Sequence, residues 1–175
     1  EVEEFAEISE EEIEKVVEET LAPLLRKGGE NPAKVVEDLR ELMQQKVGII
    51  RQGQQLEEAL EELEAFRDRE ASASPGGTRV YNPGWHQALE IGAMIDVSKM
   101  CALAAHAREE SRGGHTRLDF PVPDYSHWGK INSVIVKGSD GEMKLSHTRY
   151  PPIPDRLKEF LDAEDLHEDE EESNV

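Results

Sequence analysis

Cysteine is almost missing from this chain: Cys101 stands alone among 175 residues. An internal disulfide is therefore excluded, and the usage fits a reducing compartment. Cys101 sits in the apolar helical run VSKMCALAAH, which predicts a buried structural thiol rather than a nucleophile. Long hydrophobic runs are missing as well. No stretch approaches the roughly 18 apolar residues needed to span a bilayer, and no signal peptide is visible. Basic residues are few, 20 Lys and Arg against 39 Asp and Glu, for a net charge of −19. That balance argues against nucleic-acid binding, which needs a basic face to meet phosphate. Neither G-x-G-x-x-G after a strand nor G-x-x-x-x-G-K-[ST] occurs, so no nucleotide-phosphate loop of either kind is supported. C-x-x-C and H-E-x-x-H are missing too, which speaks against a dedicated metal site.

The acidity is concentrated at the ends. Residues 1–19 hold ten acids and one lysine, and residues 164–175 hold seven acids and no base. Between them 22 acids face 19 bases, a nearly balanced body flanked by what read as solvated segments. The length suits one domain with appendages. The first residue is Glu1 rather than Met, which we read as the mark of a piece of a longer polypeptide.

Helical signals fill the first two thirds. Ser9 and Glu12 form an S-x-x-E capping box, followed by Ile13, Val16, Val17, Leu21, Leu24 and Leu25 at helical spacing. Gly28-Gly29 closes that segment, and Asn31-Pro32 opens the next with an N-cap residue and proline at the first helical position. Val35, Val36, Leu39, Leu42, Met43, Val47 and Ile50 make one stripe; after a kink or break near Gly53, Leu56, Ala59, Leu60, Leu63 and Phe66 make another. A loop of small residues, proline and glycine, ASASPGGT, precedes a long helix predicted from Pro83 to Arg112. Its inner face is predicted to carry Trp85, Leu89, Ala93, Val97, Met100, Cys101 and Ala104, and each stripe reads as bundle core. The alanines at 102–107 would let a neighbouring helix approach closely.

After Gly113-Gly114 the character changes. INSVIVK and MKLSHTRY read as two strands around the turn GSDG, a small hairpin at about 131–150. DRLKEFLDA predicts a last short helix before an acidic tail. The segments are then an acidic N-terminal helical piece at 1–30, a helical domain with hairpin at 31–155, and a short helix with an acidic disordered tail at 156–175.

One stretch stands out, AREESRGGHTRLDFP at 107–121. Arg108 and Arg112 belong in the last turns of a helix, whose C-terminus carries about half a negative charge, and Gly113 or Gly114 can end it. His115, Arg117 and Asp119 then alternate, as along one side of an extended strand. Three readings are open: an ion-pair corner with Glu109 or Glu110 on Arg117, a docking surface, or an anion contact. His106 and His115 lack a third metal ligand at a telling spacing, and His86, His127 and His147 have no evident catalytic partner.

ESRGGHTRLDFP resembles the E-S-R-G-A-H-x-R-x-D-x-P segment of the succinate dehydrogenase/fumarate reductase flavoprotein family, which L-aspartate oxidase shares in part. DLRELMQQKVGIIRQGQQLEEALEELEAFRDR resembles the opening of that family's C-terminal helical domain, and YNPGWHQALEIGAMIDVSKMCALAAHAREES its long third helix. HWGKINSVIV resembles the segment before the family's C-terminus, so the likeness spans about residues 34–150 in order. Gly114 stands where alanine is commoner, and SRGGHTR is similar to the cytochrome b-linked, menaquinone type of actinobacteria.

The resemblance implies a mainly α fold, an up-and-down three-helix bundle of spectrin-repeat-like form with a small C-terminal β hairpin. It implies a parent subunit that interconverts succinate and fumarate on FAD. Electrons would pass to an iron-sulfur subunit and then to a quinone, through a membrane anchor cytochrome b subunit. The place would be cytoplasmic, peripheral on the inner face of the membrane. The family's FAD-binding and catalytic residues lie upstream, so the resemblance assigns no catalytic, cofactor-binding or metal residue to this chain. It leaves Glu110, Arg112, His115, Arg117 and Asp119 as candidates for docking on the upstream FAD-binding domain. The alternative is a free-standing acidic helical module that binds a basic partner. A hydrolase or metal enzyme using His106 and His115 rests only on the presence of those residues.

Overall fold

A computed structural model of the chain describes residues 7–158 and 160. The predicted acidic tail lies outside the described residues, as does the end of the last helix, of which α5 (Asp155–Lys158) is seen.

Capping chemistry sets the helix starts. Helix α1 (Glu10–Leu25) begins at the capping box, with Ser9 Oγ accepting from Glu12 N and Glu12 Oε2 from Ser9 N. Helix α2 (Pro32–Lys46) starts on Asn31, whose side chain accepts from Ala33 N. The break near Gly53 is a short extended stretch, β1 (Ile50–Arg51), before α3 (Gly53–Ser72). Helix α4 (Pro83–Ala107) is capped by Asn82.

Helices α2, α3 and α4 run up, down and up. Glu30, just before α2, bridges Ala73, just after α3, so these two are antiparallel. Strand β1 pairs in parallel with β2 (Thr116–Arg117), which brings the ends of α2 and α4 together. A small antiparallel hairpin follows, β3 (Ile131–Lys137) with β4 (Met143–Arg149), in register from Ile131 opposite Arg149 to Lys137 opposite Met143. Gly141, at φ +86°, makes its turn. The fold is thus mainly helical, a bundle with a hairpin.

The core is aliphatic. Val35, Val36 and Leu39 of α2 and Leu56, Leu63 and Phe66 of α3 close on α4. The buried face of α4 is Ala88, Ile91, Ile95, Ser98, Ala102 and Ala105, spaced three and four apart as in a coiled-coil seam. This corrects the predicted face. Leu89 and Val97 are 42% and 56% exposed, Ala93 is exposed, and Trp85, Met100 and Ala104 are half-buried. Cys101 is also exposed, not buried. The helix is apolar nearly all round, so its stripe has no unique phase, and the small alanines take the face where α3 comes closest.

Two further expectations shift. Ile50 leaves the α2 stripe, 64% exposed in β1. Helix α1 does not bury its stripe: Ile13, Val16, Val17 and Leu25 are about half exposed or more. It meets the bundle near its C-terminal end, where Trp85 Nε1 donates to Thr20 O at 2.8 Å and Pro23 is buried. Arg26 then donates to Ala73 O at 2.8 Å. Ion pairs between helices, such as Lys46 with Glu58 and Glu62, flank the core, each of modest worth at the surface.

Candidate functional site

Helix α4 ends at Ala107, five residues earlier than predicted, because the chain beyond it folds back under the helix end. Arg112 and His115 exchange backbone hydrogen bonds across Gly113-Gly114. Gly113 lies at φ +61°, the left-handed region that glycine tolerates. A Cβ at Gly114 would meet nothing within 4 Å, so the alanine commoner in the resembling segment would fit there. Ser111 Oγ accepts from Arg117 N at 2.8 Å and donates to Phe120 O, pinning the return. Strand β2 then hooks onto β1, Leu118 N donating to Arg51 O at 2.8 Å. His115 and Arg117 turn inward, 6% and 2% exposed, while Leu118 is 61% exposed.

Arg117 and Asp119 join two helix ends. Arg117 Nη1 donates to the carbonyls of Ala105, His106 and Arg108 at 3.0, 2.8 and 3.2 Å, filling the C-terminus of α4. Its Nε and Nη2 donate to Asp119 at 2.8 and 2.7 Å. Asp119 Oδ2 in turn accepts from Gly53 N at 3.0 Å, at the start of α3, where Gln52 offers no side-chain cap. A cation thus meets a negative helix end and an anion a positive one. The hydrogen bonds from Arg117 hold the Asp119 carboxyl far below the usual range. Gly53 leaves room for this pair: a Cβ would stand 2.8 Å from Asp119 Oδ2 and 3.1 Å from Arg117 Nη2, so the carboxylate would have to shift.

Glu110 is fully buried, yet it does not pair with Arg117 as the sequence suggested. Its carboxylate accepts from Arg108 Nε at 2.9 Å, Arg112 Nε at 3.1 Å and Asp124 N at 2.8 Å. Burial pushes its pKa up, but hydrogen bonds from Arg112, Asp124 N and Arg108 outweigh that and hold it below the ordinary value. Arg112 goes on to donate to Trp128 O at 3.0 Å, tying the corner to the hairpin side.

His115 has one consistent neutral tautomer. Its Nε2 lies 3.0 Å from Arg108 O, which only accepts, so Nε2 carries the proton. Nδ1 then accepts from Arg51 Nη1. Burial, chiefly, lowers its pKa; the Arg108 carbonyl opposes this, and the charges of Arg51, Arg108 and Arg117 add to the lowering. Imidazole, not imidazolium, fits between these guanidiniums.

The five candidates therefore lie together. Glu110, His115 and Arg117 are internal, and Arg112 and Asp119 reach the surface. Arg51, Gly53 and Asp124 belong to the same assembly and were not singled out, because the sequence carries no local sign of contacts that form only on folding. His106 lies 3.2 Å from Glu57 rather than beside His115. His127 and His147 pack edge-on against Trp128, at 5.0 and 5.1 Å. Among the described residues no three His, Cys, Asp or Glu side chains gather as a metal site requires.

The fumarate reductase flavoprotein C-terminal family matches residues 36–167. The chain belongs to that family. It is 33% identical over 131 residues to the fumarate reductase flavoprotein subunit of Mycobacterium tuberculosis (strain H37Rv), covering 71% of this chain and 22% of the relative. It is 34% identical over 125 residues to the succinate dehydrogenase flavoprotein subunit of Coxiella burnetii, covering 71% of this chain and 20% of the relative. Among solved structures, Mycobacterium smegmatis Sdh1 in complex with UQ1 superposes with a TM-score of 0.80 at 34% identity, over 95% of this chain and 28% of that one. The chain thus spans about a fifth of the length of these curated relatives.

Proposed function

We propose that this chain acts as the accessory C-terminal helical domain of a succinate dehydrogenase/fumarate reductase flavoprotein subunit. The family match over 36–167 carries the reading. The parent subunit interconverts succinate and fumarate on FAD and passes electrons to an iron-sulfur subunit. From there they reach quinone through a cytochrome b anchor, so attachment to the cytoplasmic face of the membrane is indirect. No helix among the described residues is long and apolar enough to cross a membrane. The functional unit is residues 31–155, with the acidic ends as appendages.

The chain's own elements do not fit a flavin. Among the described residues the sheets are a two-residue parallel pair and one hairpin, and none of these residues forms a strand–loop–helix unit that presents backbone N–H groups to a pyrophosphate. The work left to it is to cover and position the upstream FAD-binding domain. Exposed apolar surface supports this. A groove of about 770 Å³ runs between α2 and α4, lined by Leu39, Met43, Met94 and Val97. In this reading Arg112 and Asp119 meet the FAD-binding domain from the corner's surface, while Glu110, His115 and Arg117 hold them in place from within.

A domain swap tests the proposal. Replacing the C-terminal domain of the M. smegmatis subunit by this chain is expected to give a folded subunit that holds flavin and reduces dye with succinate. An Arg112→Glu version is expected to lose flavin content. A folded swap without flavin overturns the proposal, and so does flavin absorbance or succinate turnover in this chain alone.

A further inference from the structure

A cleft of about 340 Å³ opens between the end of α4 and the hairpin. Arg51, Arg108, Arg112 and His115 line it together with Trp128 and Tyr150, and among the described residues no aspartate or glutamate does. The surrounding charge is unbalanced. Arg51, Arg108, Arg112 and Arg117 meet only the carboxylates of Glu110 and Asp119 in ion pairs, and Arg51 has no carboxylate partner among the described residues. Arg51 Nε donates to the carbonyls of Val47 and Gly48, just past the end of α2, at 3.2 and 2.6 Å, and that negative helix end offsets roughly half a charge. His115, held neutral, adds none. An excess of roughly one to two positive charges is left beside the cleft, in a chain of net charge −19.

Donors are also left over. Arg51 Nε and Nη1 are engaged, and Arg108 Nε and Nη2 bind Glu110, but Arg51 Nη2 and Arg108 Nη1 make no hydrogen bond among the described residues. Two guanidinium edges with free N–H groups, beside aromatic rings, suit a planar anion on a short hydrocarbon stem. An extended polyanion is disfavoured by the acidity of the rest of the chain.

We propose that this cleft is a carboxylate-binding pocket, in which Arg51 and Arg108 take the carboxylate and Trp128 and Tyr150 cover its stem. The ligand is either a free short-chain acid or the side chain of an acidic residue on another protein segment. This inference stands apart from the family reading and does not depend on it.

The test is an NMR titration of the full 175-residue chain, following the Arg51 and Arg108 Nε–H signals at constant ionic strength. The probes are glutarate, N-acetyl-glutamate amide and inorganic phosphate. Saturable shifts with one or both carboxylates are expected, with a Kd of about a millimolar. Tighter binding of glutarate points to a free acid, and tighter binding of the capped glutamate to a protein side chain. Arg51→Met is expected to weaken binding about tenfold or more. Arg51 also supports the corner, so Ser133→Trp, which narrows the cleft from the hairpin side without touching an arginine, is the second variant and is expected to do the same. The pocket is overturned if neither carboxylate saturates, if both variants bind like the parent, or if phosphate binds more tightly than both carboxylates.

Discussion

Along α4, Ile91 and Ile95 are fully buried against aliphatic neighbours; a few turns further on, Glu110 and Arg117 are buried almost as deeply against guanidiniums, a carboxylate and carbonyls. The seam is held by non-directional forces, which reward burial but tolerate sliding. The corner is held by directed, charge-assisted hydrogen bonds, which fix position. Arg117 holds the end of α4, Asp119 the start of α3, and the β1–β2 pair the end of α2. Stability comes mainly from the seam and the mutual register of the helix ends from the corner.

The largest expected effect comes from breaking the corner. Arg117→Met leaves Asp119 without its cation and takes the arginine donor from the α4 carbonyls of Ala105 and His106, while Arg108 O keeps the hydrogen bond from His115 Nε2. A loss of about 4 kcal/mol is expected in urea unfolding, roughly 2 kcal/mol for each of the two carbonyls that loses a charged donor, since Asp119 can turn to water. Adding Asp119→Asn should cost less than the sum of the two single changes. A loss for Arg117→Met below about 1 kcal/mol would mean that the corner is decoration on an already registered bundle.

The seam supplies the next contrast, between two positions of one helix. Ile95→Ala empties a fully buried site and should cost about 3 kcal/mol. Val97→Ala, on a face 56% exposed, should cost under about 0.5 kcal/mol. Similar losses at both would restore the helix phase expected from sequence.

That phase shows where sequence reading reaches its limit. Helix starts were legible because capping is local: Ser9 with Glu12, and Asn31 before Pro32, announce themselves within four residues. The hairpin was legible for the same reason. The inward face of α4 was not, since Leu89 and Val97 compete with Ala88, Ile91 and Ile95 and only the approach of α3 decides between them. At the corner the composition was readable but the partners were not. Arg51 meets His115 at a sequence separation of 64, and Gly53 meets Asp119 at one of 66. Even the neighbouring acids were paired differently from expectation: charge alone allows Glu110 on Arg117, and only the backbone return through Ser111 sets Asp119 there instead.

The smallest expected effect sharpens the contrast through pH. Burial of His115, with the charges of Arg51, Arg108 and Arg117 adding to it and the Arg108 carbonyl opposing it, puts its pKa below the ordinary 6.5. In the unfolded chain it protonates near that ordinary value, so below it the unfolded state binds more protons. Its contribution to stability is complete above about pH 6.5 and is lost as pH falls through the lowered folded value, with a slope of at most about 1.4 kcal/mol per pH unit for one proton. His115→Gln keeps a donor for Arg108 O and an acceptor for Arg51 but cannot titrate. Unfolding of parent and variant, compared from pH 7 downward, should diverge in favour of the variant as the medium turns acidic. Parallel curves would show that His115 accepts its proton in place, and that this part of the corner is no more selective about charge than a solvated surface.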